Sequence, residues 1–185
     1  MSGGHGHLDS SNKKIALLVA VLAAMLAVSE TGGKSSQTEV LTQHVEATNM
    51  WTFFQAKTVR QTVVRTAAEE LDAQFKDAGT MPAAVKTQIE QWRKTVQRYD
   101  TEPDTNEGRK ELMARAKTKE QHRDKSLAAY HMFEYGSACF QLAIVLAGAA
   151  ALTSVGWLAL VSLGLGVVGF GFTLLAFLAP TLIHL

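Results

Sequence analysis

Residues 135–152, YGSACFQLAIVLAGAAAL, and residues 157–178, WLALVSLGLGVVGFGFTLLAFL, decide the fold of this chain. No charged side chain follows Glu134. Each run is long enough to form a helix that crosses a hydrocarbon core about 30 Å thick, which takes roughly 17 to 25 residues. The segment between the runs is too short for anything but a tight turn, so the C-terminal part is predicted to be a transmembrane helical hairpin.

A third apolar run begins at Ile15, directly after Lys13 and Lys14, and stops at Glu30. Its length suits either a short transmembrane helix or the core of a signal peptide, and residues 27–29 resemble a small-residue cleavage site. The run continues into helix-compatible sequence, which favours an uncleaved first transmembrane helix over a signal peptide. Both interpretations stay open at the level of sequence.

Charge is concentrated in the middle of the chain. Of 18 Lys and Arg residues, all but Lys13 and Lys14 lie between Lys34 and Lys125. Acidic residues are spread through the same segment, which argues against a nucleic-acid partner, because such proteins carry a one-sided basic surface. The predicted fold class is all-α, with one N-terminal and two C-terminal transmembrane helices and a soluble stalk resembling a helical hairpin or coiled coil. The predicted boundaries are a flexible polar tail at 1–14, membrane helices at 15–31, 133–152 and 156–180, a stalk at 32–132 and a C-terminal tail at 181–185.

Two helices of the stalk are separated by a break at residues 79–82, where Gly79 and Pro82 interrupt good helix-forming sequence. The second helix carries apolar residues alternately four and three apart, which places them on one stripe. The first helix repeats this spacing, so the two are predicted to form an antiparallel hairpin in which the second stripe is the most buried part of the stalk. These stripes are Val64, Ala68, Leu71, Phe75 and Ala78, and Val85, Ile89, Trp92, Val96 and Tyr99.

Several short stretches resemble an uncharacterised family of small bacterial membrane proteins filed as a domain of unknown function. The stretches are KKIALLVAVL at 13–22, SET at 29–31, GKS at 33–35, EA at 46–47, FFQAKT at 53–58 and EGRKELMARA at 107–116. The resemblance covers nearly the whole chain. It implies a bacterial integral membrane protein with one terminal helix before and a helical pair after a soluble insert, and it implies no activity, cofactor or site residue.

One glycine motif imitates a nucleotide site. Residues 164–169 fit the G-x-G-x-x-G pattern, but they lie inside an apolar run and lack the strand, turn and helix that a dinucleotide site requires. We expect these glycines to serve close helix packing instead. The expected faces are Ser162, Gly166 and Gly171 on the third membrane helix, and Ala143, Ala147 and Ala151 on the second.

The acidic loop that follows the hairpin offers weak metal candidates, because its side chains match the ligand positions of a calcium loop. Thr105 stands where the sharp turn needs glycine, and Pro103 stiffens the segment, so an ordinary exposed loop before a helix starting at Arg109 is favoured. The candidate ligands are Asp100, Glu102, Asp104 and Glu111, with Asn106 at position seven.

A second set of weak candidates follows from topology, which places the end of the first membrane helix, the start of the second and the end of the third at one membrane surface. Glu30 and Glu134 then share a level with two histidines. Ordinary interfacial polar residues and a proton- or metal-responsive cluster are both open, since histidine titrates near neutrality. The histidines are His131 and His184.

No paired nucleophile and base and no metal tetrad are evident, so we expect neither an enzyme nor a cofactor. The expected function is a membrane-anchored structural or interaction protein that self-associates or serves as an accessory subunit, with copies of itself or other membrane subunits as partners in the bilayer. Exposed aromatic residues at Trp51, Phe53 and Phe54 motivate self-association. The alternative is an oligomeric pore, motivated by the glycine-rich third membrane helix. Basic residues flanking the spans favour a cytoplasmic stalk. Together with the bacterial origin that the resemblance implies, this predicts a multi-pass protein of the bacterial inner membrane.

Overall fold

The computed structural model describes residues 10–76 and 79–182 and, within them, an all-α chain with no strand. The first helix, α1, is 67 residues long. It is followed by a short helix, a second long helix and a final apolar helix. Their bounds are α1 Ser10–Lys76, α2 Ala83–Asp100, α3 Arg109–Thr153 and α4 Gly156–Leu178. The all-α prediction is confirmed, as are the helix breaks before α2 and before Arg109.

Among the described helices, α1, α3 and α4 are long and apolar enough to cross a membrane, judged by length and composition. Most side chains in their apolar windows lie at the protein surface rather than inside it. Apolar side chains in this position are what a lipid environment requires, because lipid is as apolar as the side chains themselves. Three candidate spans, one from the N-terminal and two from the C-terminal part, indicate a membrane protein.

The chain divides into two compact units. The first, called here the membrane unit, comprises Met1–Leu41 and Arg123–Leu185 as far as these residues are described. The second, the helical unit, is Thr42–His122. Each unit contains part of α1 and part of α3.

In the helical unit, the end of α1 and α2 form the predicted antiparallel hairpin. Gln61 donates a hydrogen bond from Nε2 to the carbonyl of Val96 at 3.0 Å, and Arg93 pairs with Asp72 at 2.8 Å. Between the helices, Gly79 takes the left-handed conformation with φ of 72°, which glycine adopts without steric cost. The hairpin prediction is therefore confirmed for its described residues; Ala78 lies outside them.

The predicted burial of the α2 stripe is wrong in part. Ile89 is 2% exposed, but Val85, Trp92, Val96 and Tyr99 are only half-buried. Side chains on α1 and α3 that are at most 3% exposed are buried about as deeply as Ile89, because α2 packs along one stripe whose edges stay open to solvent. These are Ala47, Ala68, Leu112 and Ala116.

In the membrane unit, small residues allow the helices to approach closely. Ser162 is fully buried, and a Cβ built on Gly166 would lie 2.6 Å from Leu22 Cδ2. Gly164 and Gly171 have no atom within 4 Å of such a Cβ, so the expected role of Gly171 is wrong. The buried face of α4 follows spacings of four and three instead and faces buried alanines of α3. The two sets are Ser162, Gly166, Gly169, Thr173 and Ala176, and Ala143, Ala147 and Ala150.

Candidate functional site

The carboxylates of the acidic loop are held by basic side chains. Asp100 lies 3.0 Å from Lys110 Nζ and 3.3 Å from Arg109 Nη1. The hydrogen bond and charge of Lys110, together with the charge of Arg109, lower the pKa of Asp100 despite partial desolvation. Glu102 lies 3.1 Å from Lys57 Nζ, and the hydrogen bond and charge of Lys57 lower the pKa of Glu102.

The loop does not converge on one ion. Asp104 is exposed, while Glu111 accepts a hydrogen bond from the backbone N–H of Glu102 at 3.3 Å. The left-handed residue of the loop is Asn106, with φ of 55°, rather than the residue at position six. Across residues 10–76 and 79–182, no three His, Cys, Asp or Glu side chains are grouped so that they could hold a metal. The structure therefore places Asp100 and Glu102 in ion pairs with basic side chains and Glu111 in a hydrogen bond with the loop backbone.

The buried lysine Lys57, which the sequence analysis did not single out, lies at the centre of these contacts. The Lys57 side chain is 6% exposed, and its Nζ lies 5.2 Å from the centroid of the Phe53 ring. Arg109 stands over the ring of Phe54 at 5.0 Å and donates from Nε to Thr58 Oγ1 at 2.9 Å. The available signal was the four-residue spacing of Phe53 and Lys57, which puts the lysine on the same helical face as an aromatic ring.

The aromatic residues that motivated self-association are used inside the helical unit. Trp51 donates from Nε1 to Glu120 Oε1 at 2.9 Å, and its ring meets that of Phe54 edge-on at 5.5 Å between centroids. Phe53 and Phe54 each contact a cation of the same chain. All three rings are half-buried. A self-association surface must therefore be sought elsewhere.

Part of the predicted membrane-boundary cluster comes together. His131 Nδ1 lies 3.3 Å from Glu134 Oε2, and the Tyr130 hydroxyl donates to Glu134 Oε1 at 2.6 Å. This hydrogen bond raises the pKa of Tyr130, since the carboxylate favours the protonated phenol. Glu30 lies 3.5 Å from the side-chain amide of Gln141 and is not joined to His131 or Glu134 by any contact in the described part of the chain. His184 lies outside the described residues.

Glu30 and Glu134 line a common cleft of about 390 Å³ in the membrane unit. Lys34, one helical turn after Glu30, lines the same cleft, and so do the polar side chains of Ser137 and Gln141. No ion pair within the described part of the chain involves Glu30 or Lys34. The cleft thus presents one ammonium and two carboxylates at the boundary of two apolar helical segments.

Hydroxyl groups inside the candidate spans bond within the protomer. Ser29 Oγ donates to the carbonyl of Phe133 at 3.0 Å, and Thr173 Oγ1 donates to that of Gly169 at 2.9 Å. Ser162 Oγ donates to the carbonyl of Ala143 at 2.7 Å. All three residues are buried. The bonds of Ser29 and Ser162 join helices, whereas that of Thr173 lies within α4, and none of these hydroxyls is left free to line an open path.

One stripe of α1 in the helical unit is exposed along its whole length. Exposed side chains on α1 form a stripe, called here the outer face, in which valines 55 to 63% exposed alternate with threonines and alanine. The hydroxyls of Thr48 and Thr52 donate to the carbonyls four residues earlier, at 2.8 and 2.9 Å. Their polar atoms are therefore satisfied within the helix. The outer face is Val45, Thr48, Thr52, Ala56, Val59 and Val63.

The chain belongs to the family described as a domain of unknown function, DUF4337, whose family model matches residues 11–179. This match confirms the resemblance drawn from the sequence. Neither a curated protein nor a solved structure matches the chain.

Proposed function

We propose that the protein is a non-enzymatic, membrane-anchored structural or interaction protein that self-associates through the outer face of α1. The helices α1, α3 and α4 would cross the bilayer. The alternative of an oligomeric pore gains no support from Ser29, Ser162 or Thr173, because each of these span hydroxyls is buried and bonded within one protomer. The observation that carries the proposal is the outer face itself.

The outer face is apolar in effect although it contains threonines. A threonine whose hydroxyl bonds to the preceding turn has no need of a further hydrogen-bond partner, so burying it costs little. Charged side chains between Val45 and Val59 point away from the face: Glu46 pairs with Lys119, and Lys57 pairs with Glu102. A second helix can therefore lie on the outer face from Val45 to Val59 without desolvating a charge.

The spacing of the outer face suits a second copy of the same helix. From Val45 to Val63 its residues follow one another at spacings of three, four, four, three and four. This spacing keeps them on one side of the helix over a length of about 27 Å. Two copies inserted in one bilayer with the same orientation can be related by a twofold axis along the bilayer normal, which would pair their α1 helices in parallel. Each copy would then bury the same residues.

The energy available is sufficient for a dimer in a membrane. Fully burying a valine stabilises by about 1.5–3 kcal/mol, so three valines that are 55 to 63% exposed contribute roughly 2–5 kcal/mol per copy. Two copies double this figure before the entropy of association is subtracted. Anchoring both in one bilayer reduces that entropy, because it raises their effective concentration.

The test is the particle mass of the full chain in nanodiscs and a mild detergent. We expect a discrete oligomer for the parent and a monomer for Val45→Glu with Val59→Glu, because charges on both sides of the seam would be desolvated and would repel their copies. Ala84→Glu with Gln91→Glu adds the same charge at exposed positions of α2 and should leave the oligomer intact. A monomeric parent, or an oligomer that survives the outer-face charges, would contradict the proposal.

We further propose a bacterial inner-membrane location with the helical unit in the cytoplasm. The support is the basic side chains that flank the apolar runs on that side, including Lys34, Arg123 and Lys125, since cytoplasmic segments are enriched in such residues. A cysteine placed at exposed Asn106, in a chain carrying Cys139→Ser, should react with an impermeant maleimide only after the cells are permeabilised. Labelling of intact cells would reverse the assignment.

A further inference from the structure

We propose that the cleft of the membrane unit binds the phosphoethanolamine headgroup of a phospholipid, with Lys34 on the phosphate and Glu30 and Glu134 on the primary ammonium. The inference rests on the membrane insertion proposed above but not on self-association. It gives a ligand to Lys34, Glu30 and Glu134, which form no ion pairs with one another in the described part of the chain.

The position of the cleft favours a lipid headgroup. Glu30 ends the apolar run of α1, and Glu134 precedes the apolar run of α3. A side chain at the end of an apolar helical segment lies at the level of the headgroups when that segment spans the hydrocarbon core. The cleft between these residues is therefore filled by headgroups or by water. Its volume of about 390 Å³ lies within the range of small-molecule sites.

The charges of the cleft select for a zwitterion that can donate hydrogen bonds. Glu30 and Glu134 are exposed, and their partners among the described residues are neutral donors and a histidine: the amide of Gln141, the hydroxyl of Tyr130 and the ring of His131. Two carboxylates match a primary ammonium, which has three N–H donors. A trimethylammonium group has no N–H, and a glycerol headgroup has no positive charge. Lys34, exposed in the same cleft, supplies the cation that a phosphate requires.

An apolar path for the acyl chain leaves the cleft along α3. Ala138 lines the cleft, and Leu142 and Val145 follow it at spacings of four and three, which puts the three residues on one helical stripe. Leu142 is 58% and Val145 67% exposed, so the stripe faces the surroundings of the unit. The combination of a charged cleft and an exposed apolar stripe distinguishes a lipid from soluble phosphoethanolamine.

The experiment is a native mass-spectrometry titration of the detergent-purified full chain with phosphatidylethanolamine, phosphatidylcholine and phosphatidylglycerol of identical acyl chains. We expect phosphatidylethanolamine to bind about tenfold more tightly than either, a difference of about 1.4 kcal/mol. Glu30→Gln with Glu134→Gln should abolish this preference, and Lys34→Gln should weaken all three lipids alike. Asp124→Asn and Lys117→Gln, both exposed and outside the cleft, should leave the titration unchanged.

Equal binding of phosphatidylethanolamine and phosphatidylcholine by the parent, or a preference that survives the double carboxylate variant, would overturn the inference. Tighter binding of phosphatidylglycerol would remove the role of the two carboxylates and overturn it as well. Soluble phosphoethanolamine that competes as strongly as the lipid would show that the acyl stripe contributes nothing and refute the lipid assignment. Carbonate extraction of membranes tests insertion separately, and Val45→Glu with Val59→Glu should keep the lipid preference whatever its oligomeric state.

Discussion

Replacing Gly136 by alanine should loosen the membrane unit, because three helices meet at this residue. A Cβ built there would lie 2.6 Å from Thr173 Oγ1 on α4 and 3.1 Å from Ser29 Oγ on α1. It would also lie 3.1 Å from the carbonyl oxygen of Gly169, which is part of the helical backbone and can give way only if α4 moves. The added methyl group must therefore push the helices apart or turn the two hydroxyls away from their acceptors.

The change in the free energy of unfolding follows from two destabilising contributions and one stabilising contribution. Overpacking a well-packed site costs about 1–3 kcal/mol, and each interhelical hydrogen bond that weakens costs about 0.6 kcal/mol. Alanine recovers about 1 kcal/mol because it favours the helix over glycine. The expected net loss is about 1–3 kcal/mol, which lowers the melting temperature by roughly 2–12 °C in a chain of this size.

The assay uses the single native cysteine. Cys139 is half-buried and lies one helical turn after Gly136, so its reaction with a thiol-specific fluorescent dye during heating reports opening at this site. Gly148→Ala and Gly164→Ala are matched controls, since an alanine Cβ at either glycine meets no atom within 4 Å. Both controls should melt at or slightly above the parent temperature. If Gly136→Ala melts with these controls, the close approach of α1, α3 and α4 at this residue is wrong.

Two further predictions concern the helical unit. Ile89→Ala should lower the free energy of unfolding by about 2–5 kcal/mol, because Ile89 is buried. Trp92→Ala should cost less than the size of tryptophan implies, because Trp92 is only half-buried. Thermal unfolding of both variants checks this, and a larger loss of stability for Trp92→Ala than for Ile89→Ala would contradict it. Lys57 lowers the pKa of Glu102, so their stabilising contact is fully present above the ordinary pKa of a glutamate, near 4, and is lost as the pH falls through the lowered value. Backbone amide hydrogen exchange of residues 101–108, corrected for intrinsic rates, should accelerate below about pH 4 in the parent protein and change less in the Lys57→Met variant. The same acceleration at low pH in both proteins would contradict this prediction.

The helices and their breaks could be predicted because they depend on local signals. Apolar length marks the candidate spans, and the Gly79 to Pro82 break separates α1 from α2 as expected. The facing stripes of the hairpin follow from residues that lie four and three apart. These patterns cannot give the depth of burial. Periodicity identifies the face of α2 that turns inward, but not which residues on that face the tertiary packing closes off from solvent.

The contacts of the acidic loop could not be predicted, because their partners come from distant parts of the chain. Lys57 meets Glu102 across 45 positions, and Arg109 meets Thr58 across 51. A loop rich in carboxylates looks the same in sequence whether it binds an ion or a neighbouring lysine. Trp51 presents the same difficulty: its exposure on an isolated helix implied a second protomer, whereas Glu120 of the same unit accepts its N–H.

Two adjacent glycines in α1, Gly32 and Gly33, could mark either a hinge in the helix or a place where another side chain packs closely against it. Gly32 and Gly33 lie inside a helix that continues without a break, although two adjacent glycines disfavour a helix interior by about 1 kcal/mol each relative to alanine. A Cβ on Gly32 would lie 2.6 Å from two carbons of the Phe133 ring, and Phe133 itself is 3% exposed. The two glycines therefore leave room for the Phe133 ring to pack against α1 and do not act as a hinge. The same ring contacts Phe177 edge-on at 4.9 Å between centroids, so the loss of helix propensity at Gly32 is offset by an aromatic contact that ties α1 and α4 to α3.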